Sequence, residues 1–265
     1  MRTRIAVLGA GRMGRQLVQA VTAAEDLRLG GIWLRPGARF DFEPGTAPPR
    51  KAVISSDLQA VLAAADVAVD FSLPEATPQV LEAAVRSRTP LVCGVSGLAD
   101  AEMLELKRAA EAIPLLYDRN MSVGIAVLKD AIGRAAPLLG ESFITDIHET
   151  HHVHKKDAPS GTAIALGEVL AGSRGQELVD VMQYDPHGNA ARRSNSDIVF
   201  SVTREGEVPG EHSVVFRSEA ECLELTHRVT DRRVFAICAL RAARWLLRQE
   251  PGFYRISDFL VNISP

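Results

Sequence analysis

Cysteine, single-sign charge and long apolar runs are all scarce in this chain of 265 residues. Its three cysteines, Cys93, Cys222 and Cys238, are scattered and form no C-x-x-C pair. They read as reduced, mostly buried thiols of a cytoplasmic protein. The formal net charge is −3 and the isoelectric point about 6.2, which gives no electrostatic case for nucleic acid or a membrane surface. No apolar run approaches the roughly 18 residues of a transmembrane helix. The N-terminus runs straight into a strand pattern, without the charged region, apolar region and cleavage site of a secretory signal. Internal repeats and low-complexity segments are absent as well.

What is present is enough apolar content, 46%, for a sizeable core in one large domain or two. The first half alternates strands and helices. Ile5 to Leu8 form an apolar strand, followed by Gly9-Ala10-Gly11-Arg12-Met13-Gly14 and a helix from Met13 to about Ala24 with Leu17, Val18 and Val21 on one face. Leu27–Leu34, Ala65–Phe71, Pro90–Cys93 and Pro114–Tyr117 read as further strands, with helices from about Pro74 and over Asp100–Ala112. A Pro/Gly-rich loop spans Pro36 to Pro49. The spacing predicts an α/β fold with a Rossmann-like, doubly wound parallel sheet. After Asn120 the pattern changes to a long helix, Val123–Leu139, a strand over 143–151, a helix after Ser160, and strands Asp197–Arg204, Glu211–Arg217 and Cys222–Val229 without helices between them. That is a second α+β domain on an antiparallel or mixed sheet. An apolar helix, Arg232–Arg248, returns to the first domain.

The richest stretch chemically is His148 to Ala163, with four of the chain's seven histidines, two lysines and a Ser-Gly-Thr turn that can open a helix. Imidazole and ammonium groups both deliver protons near neutral pH. A helix N-terminus offers backbone N–H groups to an anion. Together they suit a small carboxylated substrate. His148-Glu149-Thr150-His151-His152 also satisfies the zinc-protease pattern H-E-x-x-H, which works only on a helix, where the histidines lie about 6 Å apart. The preceding Phe143-Ile144-Thr145-Asp146-Ile147 is β-branched and alternating, so the segment reads as a strand. There the two histidines would lie roughly 13 Å apart, and no metal is expected.

Gly9-Ala10-Gly11-Arg12-Met13-Gly14 matches the dinucleotide fingerprint in its proper context, after a strand and opening a helix. The acidic residue that grips the adenosine ribose is missing: Trp33-Leu34-Arg35 stands at the end of the second strand. Arg35 suits a 2′-phosphate through charge-assisted hydrogen bonds, which favours NADPH over NADH.

With these motifs the chain resembles the 4-hydroxy-tetrahydrodipicolinate reductase (dihydrodipicolinate reductase) family over essentially its whole length. The strongest part, His151-His152-Val153-His154-Lys155-Lys156-Asp157-Ala158-Pro159-Ser160-Gly161-Thr162-Ala163, is similar to the family's H-H-x-x-K-x-D-A-P-S-G-T-A signature. Asp70-Phe71-Ser72, Asn120-Met121-Ser122-Val123-Gly124, Gly210-Glu211-His212 and Leu225-Thr226-His227 support it. The resemblance implies a dinucleotide-binding domain over 1–122 and 233–265, and a substrate-binding and oligomerisation domain over 123–232, in a homotetramer. It implies His151 and Lys155 as the catalytic proton-handling pair. It also implies His152, Ser160, Gly161 and Thr162 as contacts to a small dicarboxylate, with Arg232 clamping the second carboxylate. Gly94-Val95-Ser96 and Asp118-Arg119-Asn120-Met121 fall where the family holds nicotinamide and its ribose. Four features depart from the pattern: a glycine loop one residue short, Leu34 for an acidic residue, Val95-Ser96 for two threonines, and Asp118-Arg119 for small residues and proline.

The implied reaction adds hydride to a ring carbon conjugated to an imine, and a proton must follow. Lys155, with a reference pKa near 10.4, can attract carboxylate and donate. His151 titrates closer to working pH and is the better-matched acid, and the sequence does not rank the two as donor. Ser160 as a plain N-cap and Arg232 as a helix-start ion pair are the ordinary structural roles for those residues. Two other classes share these features: another two-domain Rossmann dehydrogenase, and a non-catalytic nucleotide-binding homologue.

Overall fold

The computed structural model describes residues 2–42, 51–185 and 194–261, so residues 43–49 of the Pro/Gly-rich loop lie outside the described residues. In chain order the elements are β1 (Thr3–Leu8), α1 (Arg12–Ala23), β2 (Leu27–Trp33), β3 (Val53–Ser55), α2 (Leu58–Ala63), β4 (Val67–Asp70), α3 (Thr77–Ser87), β5 (Leu91–Cys93), α4 (Asp100–Ala110), β6 (Pro114–Tyr117), α5 (Val123–Leu139), β7 (Ile144–His151), α6 (Gly161–Ser173), α7 (Leu178–Val181), β8 (Met182–Tyr184), β9 (Ile198–Arg204), β10 (Glu211–Arg217), β11 (Cys222–Arg228), α8 (Arg233–Leu246), β12 (Gly252–Tyr254) and α9 (Ile256–Val261). They form two compact units, Met1–Val123 with Arg233–Pro265, and Gly124–Arg232.

The first unit carries a seven-stranded sheet in the order β12-β6-β5-β4-β1-β2-β3, parallel at every pairing. Ile5, Ala6, Val7 and Leu8 are 0% exposed, as expected for a strand covered on both faces. Each fully buried aliphatic side chain contributes about 1.5–3 kcal/mol. The strand order turns back at β1, whose neighbours are β2 and β4. That switch point is where doubly wound sheets bind ligands, outside the carboxyl ends of the strands. Several short pieces escape sequence reading, β3 and α2 among them. β3 is a three-residue edge strand, and α2 is announced only by Asp57, whose carboxylate caps the Gln59 and Ala60 N–H groups.

In the second unit the order is β11-β10-β7-β9-β8. β7 pairs antiparallel with β10 but parallel with β9, and β8 pairs parallel with β9. The sheet is therefore mixed, the second of the two arrangements expected for this domain. β9 and β10 follow one another in sequence, yet β7 lies between them. The segment joining them is no tight hairpin, since it folds over the end of β7: His152 N–H donates to Val208 O (2.8 Å), Val153 N–H to Gly206 O (3.1 Å) and Glu205 N–H to His151 O (2.8 Å). Leu128 and Ile132 of α5 and Leu166 and Leu170 of α6 pack with Ile147, Phe200, Val214 and Phe216 of the sheet into this unit's core.

Candidate active site

Alternation along β7 turns Thr145, Ile147, Glu149 and His151 to the buried face, at 0%, 0%, 2% and 7% exposure. His148 points the other way, is exposed, and hydrogen-bonds Ser201. His148 and His152 of the H-E-x-x-H string thus lie along and just past a strand, not on one helical face.

Register then supplies two partners. His212 of β10 lies opposite Glu149, and Arg204 of β9 lies beside His151. The Glu149 carboxylate accepts from the Arg204 guanidinium at 3.0 Å and from the Ser160 N–H at 3.0 Å. Its second oxygen is 3.8 Å from His151 Nδ1 and 3.8 Å from His212 Nε2. The two imidazoles meet edge to face with centroids 5.0 Å apart. Glu149, His151 and His212 gather ligand-capable atoms within 4.8 Å of one another, but the carboxylate is already engaged by Arg204 and Ser160.

Arg204 also shapes the loop after β7, donating to the carbonyls of Lys155 (3.3 Å) and Asp157 (2.6 Å). Within that loop Lys155 Nζ is ion-paired to Asp157 at 2.8 Å. The loop ends at Ser160, whose hydroxyl oxygen caps α6 by accepting from Ala163 N–H (3.2 Å) and lies 3.2 Å from His212 Nε2. Gly161 is exposed and Thr162 half-buried at the start of α6, and His152 is buried. Arg232 is half-buried at the last position of the second unit and is not among the bonds just described.

Burial pushes His151 down from 6.5 to about 4, opposed by the Glu149 carboxylate and reinforced by the Lys155 and Arg204 charges. Burial, with His151, His227 and Lys155 nearby, takes His212 to about 3. His151 is therefore a neutral imidazole at pH 7 in the free protein, contrary to the expectation that it is the better-matched acid. Glu149, Arg204 and His212 complete the cluster. Sequence reading passed over Arg204 altogether. The signals available were the i, i+2 spacing of Glu149 and His151 and the Gly210-Glu211-His212 segment.

In the first unit, Gly9, Phe71, Gly94 and Asp118 follow the carboxyl ends of β1, β4, β5 and β6. Gly9 has φ +106°, and a Cβ there would meet Phe71 O at 3.0 Å. A Cβ on Gly14 would lie 2.1 Å from Gly9 O, so α1 needs a glycine to pack this close to β1. Gly11 faces open space, and α1 begins without a side-chain cap. An uncapped helix start beneath open space is what a pyrophosphate requires, so these residues fit a dinucleotide. Ala10, Arg12 and Met13 belong to the same turn, with Arg12 exposed. At the end of β2, Leu34 is 7% exposed and Arg35 is exposed. Val95 and Met121 are each 2% exposed and Asp118 8%, whereas Ser96 and Arg119 are exposed and Asn120 half-buried.

Comparison with known proteins agrees over both halves. Residues 3–121 match the family model described as dihydrodipicolinate reductase, N-terminus, and residues 124–260 that described as dihydrodipicolinate reductase, C-terminus. The 4-hydroxy-tetrahydrodipicolinate reductase of Alkalilimnicola ehrlichii is 42% identical over 98% of this chain and 99% of its own. That of Sulfurimonas denitrificans is 39% identical over 97% and 98%. Among solved structures, dipicolinate-bound dihydrodipicolinate reductase from Paenisporosarcina sp. TG-14 superposes with a TM-score of 0.74 at 20% identity, covering 96% of this chain and 98% of that one. Fold, signature and near-full-length identity agree: the chain belongs to the dihydrodipicolinate reductase family.

Proposed function

We propose that this chain converts 4-hydroxy-tetrahydrodipicolinate, which loses its hydroxyl as water to give the conjugated dihydrodipicolinate, to tetrahydrodipicolinate by hydride from NAD(P)H and a proton, in lysine and diaminopimelate biosynthesis. One observation carries the reading: the signature residues His151 and Ser160 lie at one buried carboxylate, Glu149, at the start of α6, and Arg204, bonded to that carboxylate, also holds the Lys155 carbonyl. The bound dipicolinate of the structural relative, a ring dicarboxylate, supports the same substrate class.

Residues 1–122 with 233–265 serve the dinucleotide, and 123–232 the substrate. Gly9 to Gly14 hold the pyrophosphate. Gly94, Val95 and Ser96, with Asp118, Arg119, Asn120 and Met121, line the nicotinamide and its ribose, the buried Val95 and Met121 through their backbone. Reduced nicotinamide supplies a hydride when bound. The N–H of Gly161, an exposed residue, with the backbone and hydroxyl of Thr162, grips one carboxylate at the start of α6. Arg232 clamps the other, and His152 contacts the same dicarboxylate. Lys155 Nζ donates the proton that follows the hydride. His151, neutral in the free protein, gains its proton as two carboxylates approach, because negative charge favours the imidazolium.

NADPH is the preferred cofactor, because Arg35 is exposed to meet a 2′-phosphate while Leu34 offers no acceptor to a ribose hydroxyl. The protein works as a cytoplasmic homotetramer, a reading supported by the outer strand β11, where Cys222, Leu223 and Glu224 are all exposed. Sedimentation equilibrium tests the tetramer. The activity is tested by following NADPH oxidation with freshly generated synthase product, in parallel with simple aldehydes and 2-oxo acids. Turnover of the ring substrate alone is expected. Turnover only of aldehydes or oxo acids makes the chain a different dehydrogenase.

A further inference from the structure

Glu149 is the most buried acidic residue among the described residues of the second unit, with its side chain 1% exposed. An isolated carboxylate there would be costly, so the groups around it must supply hydrogen-bond donors. Two are settled, the Arg204 guanidinium and the Ser160 N–H. The other groups within reach are two imidazoles, which approach by different nitrogens: His151 by Nδ1 and His212 by Nε2. His151 Nδ1 is buried without a hydrogen-bond partner among the described residues. Its other nitrogen, Nε2, faces Gly210, where a Cβ would stand 3.1 Å away. His212 Nε2 lies 3.2 Å from Ser160 Oγ, which already accepts from Ala163 N–H. A proton on the nitrogen turned toward the carboxylate is stabilised; a lone pair there is repelled.

We infer that Glu149 is a positioning residue for the reaction: it holds one proton on His151 Nδ1 and one on His212 Nε2, and through Ser160 and Arg204 it fixes the α6 cap and the Lys155 loop in a single arrangement. His151 Nε2 is thereby the atom left to take up and release a proton, and the imidazolium forms against a fixed negative charge. The groups facing His151 are Glu149 on β7, Lys155 and Asp157 in the loop that follows, Arg204 on β9 and His212 on β10. Among them Glu149 and Asp157 favour the charged form, and Glu149 does so more strongly. The inference rests on the proposed reductase reading for its catalytic part only.

Histidine ¹⁵N chemical shifts of the intact protein at neutral pH read both tautomers directly, with assignment by His151→Gln and His212→Gln. Nδ1–H on His151 together with Nε2–H on His212 is the expected result. Nε2–H on His151 overturns the inference, whether or not the protein proves to be a reductase. With the ring substrate, Glu149→Gln should lower kcat by about tenfold or more, shift to lower pH the alkaline limb at which the His151 imidazolium loses its proton, and leave NADPH binding unchanged. Glu149→Asp should recover part of both effects. A Glu149→Gln protein with unaltered tautomers and an unaltered pH profile contradicts the inference. Should that variant fail to fold, the wild-type tautomers still decide.

Discussion

Arg204 and Glu149 form an enclosed ion pair at 3.0 Å, with side chains 20% and 1% exposed, and the same guanidinium holds the carbonyl of Asp157. One residue of β9 thus ties the strand bearing the imidazole to the loop bearing the lysine. Breaking a buried pair from one side leaves an uncompensated charge and costs about 3–5 kcal/mol. Arg204→Met should lose stability of that order in urea denaturation. Joining it with Glu149→Met should recover most of the loss. An Arg204→Met protein as stable as wild type would show that the pair is not the fastening described.

Acidification acts on His151 and His212 with one sign and on Asp70 with the other. The two imidazoles fall from 6.5 to about 4 and about 3 in the folded protein. Their contribution is present in full above pH 6.5 and is lost as pH falls toward those values. Asp70, wholly buried at the end of β4, rises from 3.8 to about 6 because of burial. Its contribution is present below pH 3.8 and is lost as pH rises through 6. Two groups outweigh one, so thermal stability should fall between pH 6.5 and 4. His212→Asn should flatten that fall, and Asp70→Asn should steepen it. An unchanged slope in both variants contradicts the burial argument.

Gly210→Ala would set a methyl 3.1 Å from His151 Nε2. The imidazole must shift, so kcat with the ring substrate should drop while the dissociation constant for NADPH stays put. A proportional loss of both would point to general unfolding instead.

Much of this was legible before any coordinates. Strand–helix alternation and the burial of Ile5 to Leu8 follow from apolar runs and glycine punctuation, which are local signals. The same holds for the strand reading of 143–151, which separates His148 from His152. Legibility failed where pairing is non-local. Nothing in Ile198–Arg204 or Glu211–Arg217 says that β7 inserts between them, so Arg204 could not be placed beside His151. The lowered basicity of His151 was hidden for a related reason, since its burial depends on the 205–210 segment folding over the end of β7. Gly252–Tyr254 adds a seventh strand through three residues too few to show a period.

Cofactor choice hangs on the end of β2. A charge-assisted pair with a 2′-phosphate contributes roughly 1.5–3 kcal/mol when well formed, about tenfold or more in affinity, less when solvent-exposed. Arg35→Ala should therefore weaken NADPH binding at low salt and leave NADH binding unchanged. Equal affinities of the wild type for both cofactors would remove the basis for the preference.

Proton delivery from Lys155 to a ring dicarboxylate is the centre of the account, and steady-state NADPH oxidation with fresh synthase product tests it for wild type and Lys155→Ala side by side. The wild type should turn over, and the variant should keep NADPH affinity while kcat falls by about 10²–10⁴-fold, the usual loss for one general acid. A wild-type protein that binds NADPH but never oxidises it with this substrate would contradict the account, and so would a Lys155→Ala variant whose kcat is unchanged.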